Sequence, residues 1–202
     1  MASKKNTKRI TLVSALITLI SFLYKLGISY LTKSQVLLIA SLSTLMIFIC
    51  KLMFVKNVTK TREKKKKAYL IMILSLLIYS AIFIGVIILK LNGIDLSNNK
   101  TYEGLIGGII IGIMFLMFML SIIGLKSSLE KTDLMTIGLK EMTFASALTD
   151  LIIIEEFVSR IILDYRDIKH INEINSVFSL AICVLLVLLC LKMIFRYIRY
   201  ED

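Results

Sequence analysis

Asp150 is the side chain in this chain whose type and setting point most directly to chemistry. It falls near the centre of Leu134–Leu163, a helix-length apolar stretch that carries six charges: Lys140, Glu141, Asp150, Glu155, Glu156 and Arg160. An ionised side chain at the centre of a bilayer costs about 2.5–3.5 kcal/mol on insertion scales, so one that is kept there faces a partner or a watery cavity. At about 100° per residue, Thr136, Thr143, Ser146 and Asp150 share a narrow stripe, and the remaining charges occupy a broad arc on the other side. A carboxylate preceded by hydroxyls one and two turns away suits a cation or a proton, because oxygen donors replace shed water. The same stripe also suits helix packing, with Asp150 protonated and bonded to a neighbour. Glu156 and Arg160 stand four apart with the acid first, the favourable order for a self-neutralising pair.

The elements that must hold Asp150 are apolar helices. Of the 202 residues 57% are hydrophobic, above the roughly 45–50% of soluble domains. The excess lies in five runs, Ile10–Tyr30, Gln35–Val55, Ala68–Leu91, Leu105–Leu125 and Val177–Ile198. Each approaches the ~20 residues that cross a ~30 Å hydrocarbon core. With Leu134–Leu163 as the sixth, the sequence predicts an all-α integral membrane protein: one domain over residues 1–202, six transmembrane helices at about 10–30, 35–55, 68–91, 105–125, 134–163 and 177–198. No proline interrupts them, and tryptophan is absent too. Tyr30, Tyr79, Tyr102 and Tyr197 are placed to fill part of the interfacial aromatic belt.

The net charge of +11 is distributed as topology rather than as a nucleic-acid footprint. Lys4, Lys5, Lys8 and Arg9 precede the first run. Lys56, Lys60, Arg62 and Lys64–Lys67 follow the second, and Lys192, Arg196 and Arg199 close the sixth. Six spans bring all three clusters to one side, which the positive-inside rule makes cytoplasmic, with both termini there. Without the fifth span the C-terminal cluster would be exported. The lysine run reads as a topology signal, with a grip on anionic lipid as the alternative at about 1 kcal/mol per charge. No folded module accompanies it that would bind nucleic acid. The first run is too long for the apolar core of a signal peptide and no small-x-small cleavage site follows it, so it reads as a retained helix.

Between the helices the sequence predicts connections at Leu31–Ser34, Lys56–Lys67, Asn92–Gly104, Lys126–Asp133 and Asp164–Ser176. The first is tight enough to make an antiparallel hairpin. Lys25, Lys51 and Lys90, each near a helix end, are expected to snorkel to the interface. Gly104, Gly108 and Gly112 line one face of the fourth helix, a spacing that admits close backbone approach. Packing within the chain is expected there, or else a homodimer. Cys50, Cys183 and Cys190 sit inside apolar runs and offer neither a disulfide framework nor a metal-ligand spacing. His170, near Asp164, Asp167 and Glu173, reads as a solvated loop residue. Asn99-Lys100-Thr101 is a glycosylation sequon in an outer loop, meaningful only in a eukaryotic source.

Two resemblances follow from particular residues. Thr32-Lys33-Ser34-Gln35-Val36-Leu37-Leu38-Ile39-Ala40 resembles the start of helix 2 in the cation diffusion facilitator family, and Ser146-Ala147-Leu148-Thr149-Asp150 resembles that family's His/Asp-x-x-x-Asp metal motif. The likeness runs from about Thr11 to Ile198 and implies six helices, cytoplasmic termini and divalent-cation/proton antiport. Of the ligand positions only Asp150 keeps a ligand type. Ser146 replaces the first ligand, Thr44 and Phe48 stand where helix 2 would supply the other pair, and the family's cytoplasmic domain is missing. The metal candidates implied are therefore Asp150, with Ser146, Thr143 and Thr44 as auxiliary oxygens, short of the four strong donors of a tetrahedral zinc site. Glu155-Glu156-Phe157-Val158-Ser159-Arg160 resembles the Glu-Glu-x-x-x-Arg signature of CAAX-type intramembrane proteases, but the histidines that family adds from further helices are missing.

The sequence thus predicts a multi-pass protein of the lipid bilayer, bacterial and in the plasma membrane. Its expected role is to move a divalent cation or proton past a degenerate site, the cation being substrate and no cofactor being expected. The alternatives are a non-transporting immunity, accessory or scaffold subunit and, more distantly, a protease; enzymatic activity is not expected.

Overall fold

The described residues form six helices: α1 (Ala2–Thr32), α2 (Gln35–Asn57), α3 (Arg62–Leu91), α4 (Leu105–Ser128), α5 (Leu134–Leu163) and α6 (Ile168–Arg199). The computed structural model describes residues 2–32, 35–92, 105–128, 133–163 and 168–199. Side chains are described for these except at 2–6, 32, 36, 90, 105–107, 109–110, 128, 156–157, 159–163 and 168–174. No strand occurs among the described residues.

Every apolar run became a helix, and several helices outgrow their runs. α1, α3 and α6 begin well before the apolar residues do, because no proline stops a helix and lysine, arginine and glutamate are good helix formers. The predicted connection Lys56–Lys67 therefore shrinks to residues 58–61, and the lysine run lies on the first turns of α3. The predicted connection Asp164–Ser176 shrinks likewise, to residues outside the described set. In the short α2–α3 turn the Val58 amide donates to the Phe54 carbonyl (2.8 Å) and the Lys60 amide to the Asn57 carbonyl (2.9 Å).

Among the described residues four stretches are long and apolar enough to cross a membrane: Thr7–Leu31, Leu37–Asn57, Arg62–Leu89 and Asn175–Arg199. The described part of α4 adds the shorter apolar stretch Ile111–Ser127. Ile17, Ile20, Leu116, Ile123, Val184 and Leu188 are all more than half exposed, an apolar coat that only lipid would cover. By length and composition these helices are those of a membrane protein.

Among the described residues α5 occupies the middle, packed against α2, α3, α4 and α6, with the backbone of α1 close to α2 and that of α4 close to α5. The larger core joins α2, α3, α5 and α6 around Tyr69, Met72, Leu76, Met142 and Leu186. A smaller cluster of Leu37, Ala40, Met114 and Ile153 joins α2, α4 and α5, with Ile28 of α1 against it. α4 buries Met114 and Ser121, with Phe118 stacked on Phe144 (6.3 Å between ring centres). This heptad stripe turns the glycine face away: a Cβ at Gly108 or Gly112 would meet nothing within 4 Å. The expected packing of that face within the chain is not found at these two positions, and Gly104 lies outside the described residues. Tyr79, assigned to the interfacial belt, is instead core, 5% exposed.

Asp133 caps α5. Its Oδ2 accepts from the Thr136 amide (3.1 Å) and hydroxyl (2.8 Å), and Lys65 Nζ donates to Oδ1 (2.6 Å). Partial burial pushes the carboxyl up, but Lys65 and Thr136 outweigh it and hold it below its ordinary 3.8. A lowered folded value contributes stability in full above the unfolded value and loses it as the pH falls through the folded one. The melting-temperature gap between the wild type and Asp133→Asn is expected to hold constant well above the ordinary 3.8 and to narrow progressively as the pH falls below it. A second prediction concerns Gly138, whose missing Cβ would stand 2.6 Å from Tyr69 Cδ2 and 3.1 Å from Met72 Sδ. Both neighbours are fully buried. Gly138→Ala is therefore expected to cost about 1–3 kcal/mol in thermal or denaturant unfolding, whereas Gly85→Ala, which meets open space, leaves stability unchanged or raises it.

Candidate functional site

The polar stripe of α5 meets two others. On α1 the residues Ser14, Thr18, Lys25 and Ser29 recur at spacings of four and seven, one helical face in an otherwise apolar helix. On α2, Thr44 and Lys51 stand seven apart, with Ser43 beside them.

Lys25 is 6% exposed and Asp150 7%. The Lys25 ammonium donates to Asp150 Oδ1 (2.7 Å), Asp150 Oδ2 (2.8 Å) and Thr44 Oγ1 (3.1 Å). Its three protons are thereby used, and the carboxylate is gripped at both oxygens. Thr44 donates its own proton to the Ala40 carbonyl (2.9 Å), so its hydroxyl oxygen is free to accept from the ammonium. Snorkelling, the expectation for Lys25, is overturned: the side chain turns inward, where its ammonium compensates the buried Asp150 carboxylate, a charge costly to leave unpaired. Among the described residues α1 and α5 make no close backbone approach, so this long side chain is what joins them. Lys51 also turns inward, donating to Ser14 Oγ (2.8 Å), Thr18 Oγ1 (2.5 Å) and the Ser14 carbonyl (3.2 Å). Lys90 lies outside the described side chains.

Next to the ion pair lies a knot of hydroxyls. Ser43 donates to the Ala40 carbonyl (2.8 Å), which makes Ser146 the donor in their 3.0 Å contact. Thr149 donates to the Ser146 carbonyl (2.8 Å). The buried Tyr79 hydroxyl, close to Thr149 and Ser43, makes no hydrogen bond of good geometry among the described residues.

Of the four predicted site residues, Asp150 and Thr44 meet at the Lys25 ammonium. Ser146 is one turn away among the hydroxyls. Thr143 donates to the Leu139 carbonyl of its own helix (2.8 Å). No group of three or more His, Cys, Asp or Glu side chains able to hold a metal ion occurs among the described residues. Cys50, Cys183 and Cys190 are free and buried. His170, Glu156 and Arg160 fall outside the described side chains, so neither the Glu156–Arg160 pair nor the protease-like spelling has a described geometry.

The sequence reading missed a second buried acid's partners. Glu141 is fully buried, accepting a short bond from Arg196 Nη1 and one from the Tyr69 hydroxyl (3.1 Å), with Lys192 Nζ 3.5 Å away. Its separation of nine residues from Asp150 amounts to about half a turn plus two whole ones, so the two acids leave α5 on opposite sides. The helix is bound to α1 and α2 through one, and to α3 and α6 through the other. Compared with known protein families, curated proteins and solved structures, the chain matches none.

Removing one member of a buried pair leaves the other uncompensated, at about 3–5 kcal/mol, whereas replacing both with apolar groups is close to neutral. Lys25→Met and Asp150→Asn are each expected to lower the unfolding midpoint in detergent, and Lys25→Met combined with Asp150→Leu to recover most of the loss. Additive losses in the double variant would contradict the pairing.

Proposed function

We propose that the chain is a six-helix protein of the bacterial plasma membrane, with both termini cytoplasmic, that exchanges a proton for a small cation at the Lys25–Asp150 pair. The observation that carries this reading is the bidentate ammonium–carboxylate contact completed by the Thr44 hydroxyl. One carboxylate and one hydroxyl around a compact positive charge form the oxygen set that a monovalent cation takes. Lys25 here acts as a tethered cation. When Lys25 Nζ gives up a proton, the amine is neutral and Asp150 regains an unshared charge, so one cation can enter; when the proton returns, the cation leaves. One positive charge crosses each way and the site is neutral in both end states, the condition that low dielectric imposes.

The resemblance to cation diffusion facilitators supports the six-span topology, as do the three basic clusters. It supports divalent cargo less well, since Ser146, Thr44 and Phe48 replace three of the ligand positions and a tetrahedral site needs four strong donors.

A second reading is a non-transporting accessory or scaffold subunit in which the pair pins α1 to the bundle. The observation favouring it is the closed set of donors: every proton of the Lys25 ammonium is already used.

Liposome flux separates the two. Wild-type proteoliposomes loaded with a pH-sensitive dye are expected to acidify or alkalinise when a sodium or potassium gradient is imposed, with zinc or manganese gradients as the divalent arm. Asp150→Asn and Lys25→Met are expected to reduce the signal to that of empty liposomes. Flux equal to wild type in Asp150→Asn would sink the role of the pair, and no flux in any arm would leave the scaffold reading.

A further inference from the structure

The C-terminal half of α6 carries a stripe that the Lys25–Asp150 pair does not touch. Leu188, Leu191, Lys192, Phe195, Arg196 and Arg199 line a surface groove of about 590 Å³. Their spacings of three, one, three, one and three put all six on one helical face. The stripe is graded: apolar toward the middle of the helix, basic toward its end. Leu188 is 54% exposed and Phe195 69%, so the apolar part lies open on the outer surface of the bundle.

The charges in the groove are not all consumed. Arg196 is the short-range partner of Glu141, which also takes the Tyr69 hydroxyl. Lys192 approaches the same oxygen only at 3.5 Å and leaves 41% of its side chain exposed, so its ammonium has protons to spare. Arg199 makes no hydrogen bond or ion pair among the described residues. Three cations against the one carboxylate of Glu141 leave an excess of two positive charges beside an apolar wall. On α3 the Lys66 ammonium stands 4.9 Å from the centre of the Tyr197 ring, outside the lining of the groove.

We infer that this groove is a binding site for one anionic phospholipid. Its phosphate sits between Lys192 and Arg199, and its acyl chains lie along Leu188, Leu191 and Phe195. Charge complementarity selects an anionic head, and the adjoining apolar stripe selects a molecule with chains rather than a free phosphate. Arginine offers a fork that matches phosphate oxygens, and lysine a point charge alongside. Drawing Lys192 toward the phosphate leaves Glu141 with Arg196 and Tyr69, so the site fills without exposing a buried charge. The inference is independent of cation exchange at Asp150.

Native mass spectrometry of the detergent-purified full chain tests it, with phosphatidylglycerol and phosphatidylcholine added in competition and inorganic phosphate as a separate arm. The expected result is one preferentially retained phosphatidylglycerol, with the preference falling on the order of tenfold in Lys192→Gln combined with Arg199→Gln. Lys64→Gln combined with Lys67→Gln, which alters exposed lysines elsewhere, is expected to leave it unchanged. Equal retention of the two lipids, an undiminished preference in the α6 variant, an equal loss in the α3 variant, or displacement of the lipid by inorganic phosphate would each overturn it. The melting temperature of each variant in detergent separates lost lipid from lost fold, and Leu188→Asn, which keeps both charges, is expected to weaken retention as well.

Discussion

A carboxylate inside a bundle of apolar helices must be matched by a positive charge, and this requirement organises the structure more than any other. α5 carries two such groups on opposite sides. Asp150 is matched by Lys25 of α1, and Glu141 by Arg196 of α6 with Lys192 and Tyr69 in support. Each ion pair reaches across a helix boundary, so the central helix is held in register from both sides. α1, whose backbone lies close to α2 among the described residues, is tied to the central helix through Lys25.

Such pairs are not a simple source of stability. Desolvating two charges consumes much of what their attraction returns, and apolar replacements of both are often as stable. What a buried pair supplies is specificity; in the proposed exchange it would also supply a site with two states of similar charge. A paired ammonium and carboxylate, or a neutral amine and a cation-bearing carboxylate, each leave the interior neutral. The hydroxyls of Thr44, Ser43, Ser146 and Thr149, and the buried phenol of Tyr79, cluster around that position rather than elsewhere in the core.

Much of this architecture is legible in the sequence, and the missed parts have physical reasons. Apolar runs fix the six helices, because a chain without proline has nothing to stop them. Their extension through charged flanks is not visible in hydrophobicity, which marks burial in lipid and not where a helix ends; this is why the lysine run proved helical. The stripe of Ser146 and Asp150 was readable as a polar face, whereas Thr44 was named only through the family resemblance. Lys25 was misread because its distance from the helix end was weighed, while its place in the Ser14, Thr18, Lys25, Ser29 face was not. That face was the available signal. Glu141 was seen as a charge on the broad arc of α5. Its partners lie on α3 and α6, more than fifty residues away, and no local pattern names them. The glycine face of α4 was readable too, but spacing alone does not say which face a neighbour covers.

Infrared difference spectroscopy on the Asp150 carboxyl tests the central claim, that Asp150 is held as a carboxylate by the Lys25 ammonium. Subtracting the Asp150→Asn spectrum from that of the wild type at neutral pH is expected to isolate the antisymmetric stretch of an ionised carboxylate. The same subtraction in a Lys25→Met background is expected to show the carbonyl band of a protonated acid instead. A protonated carbonyl band in the wild type, or a carboxylate band that persists without Lys25, would contradict the account.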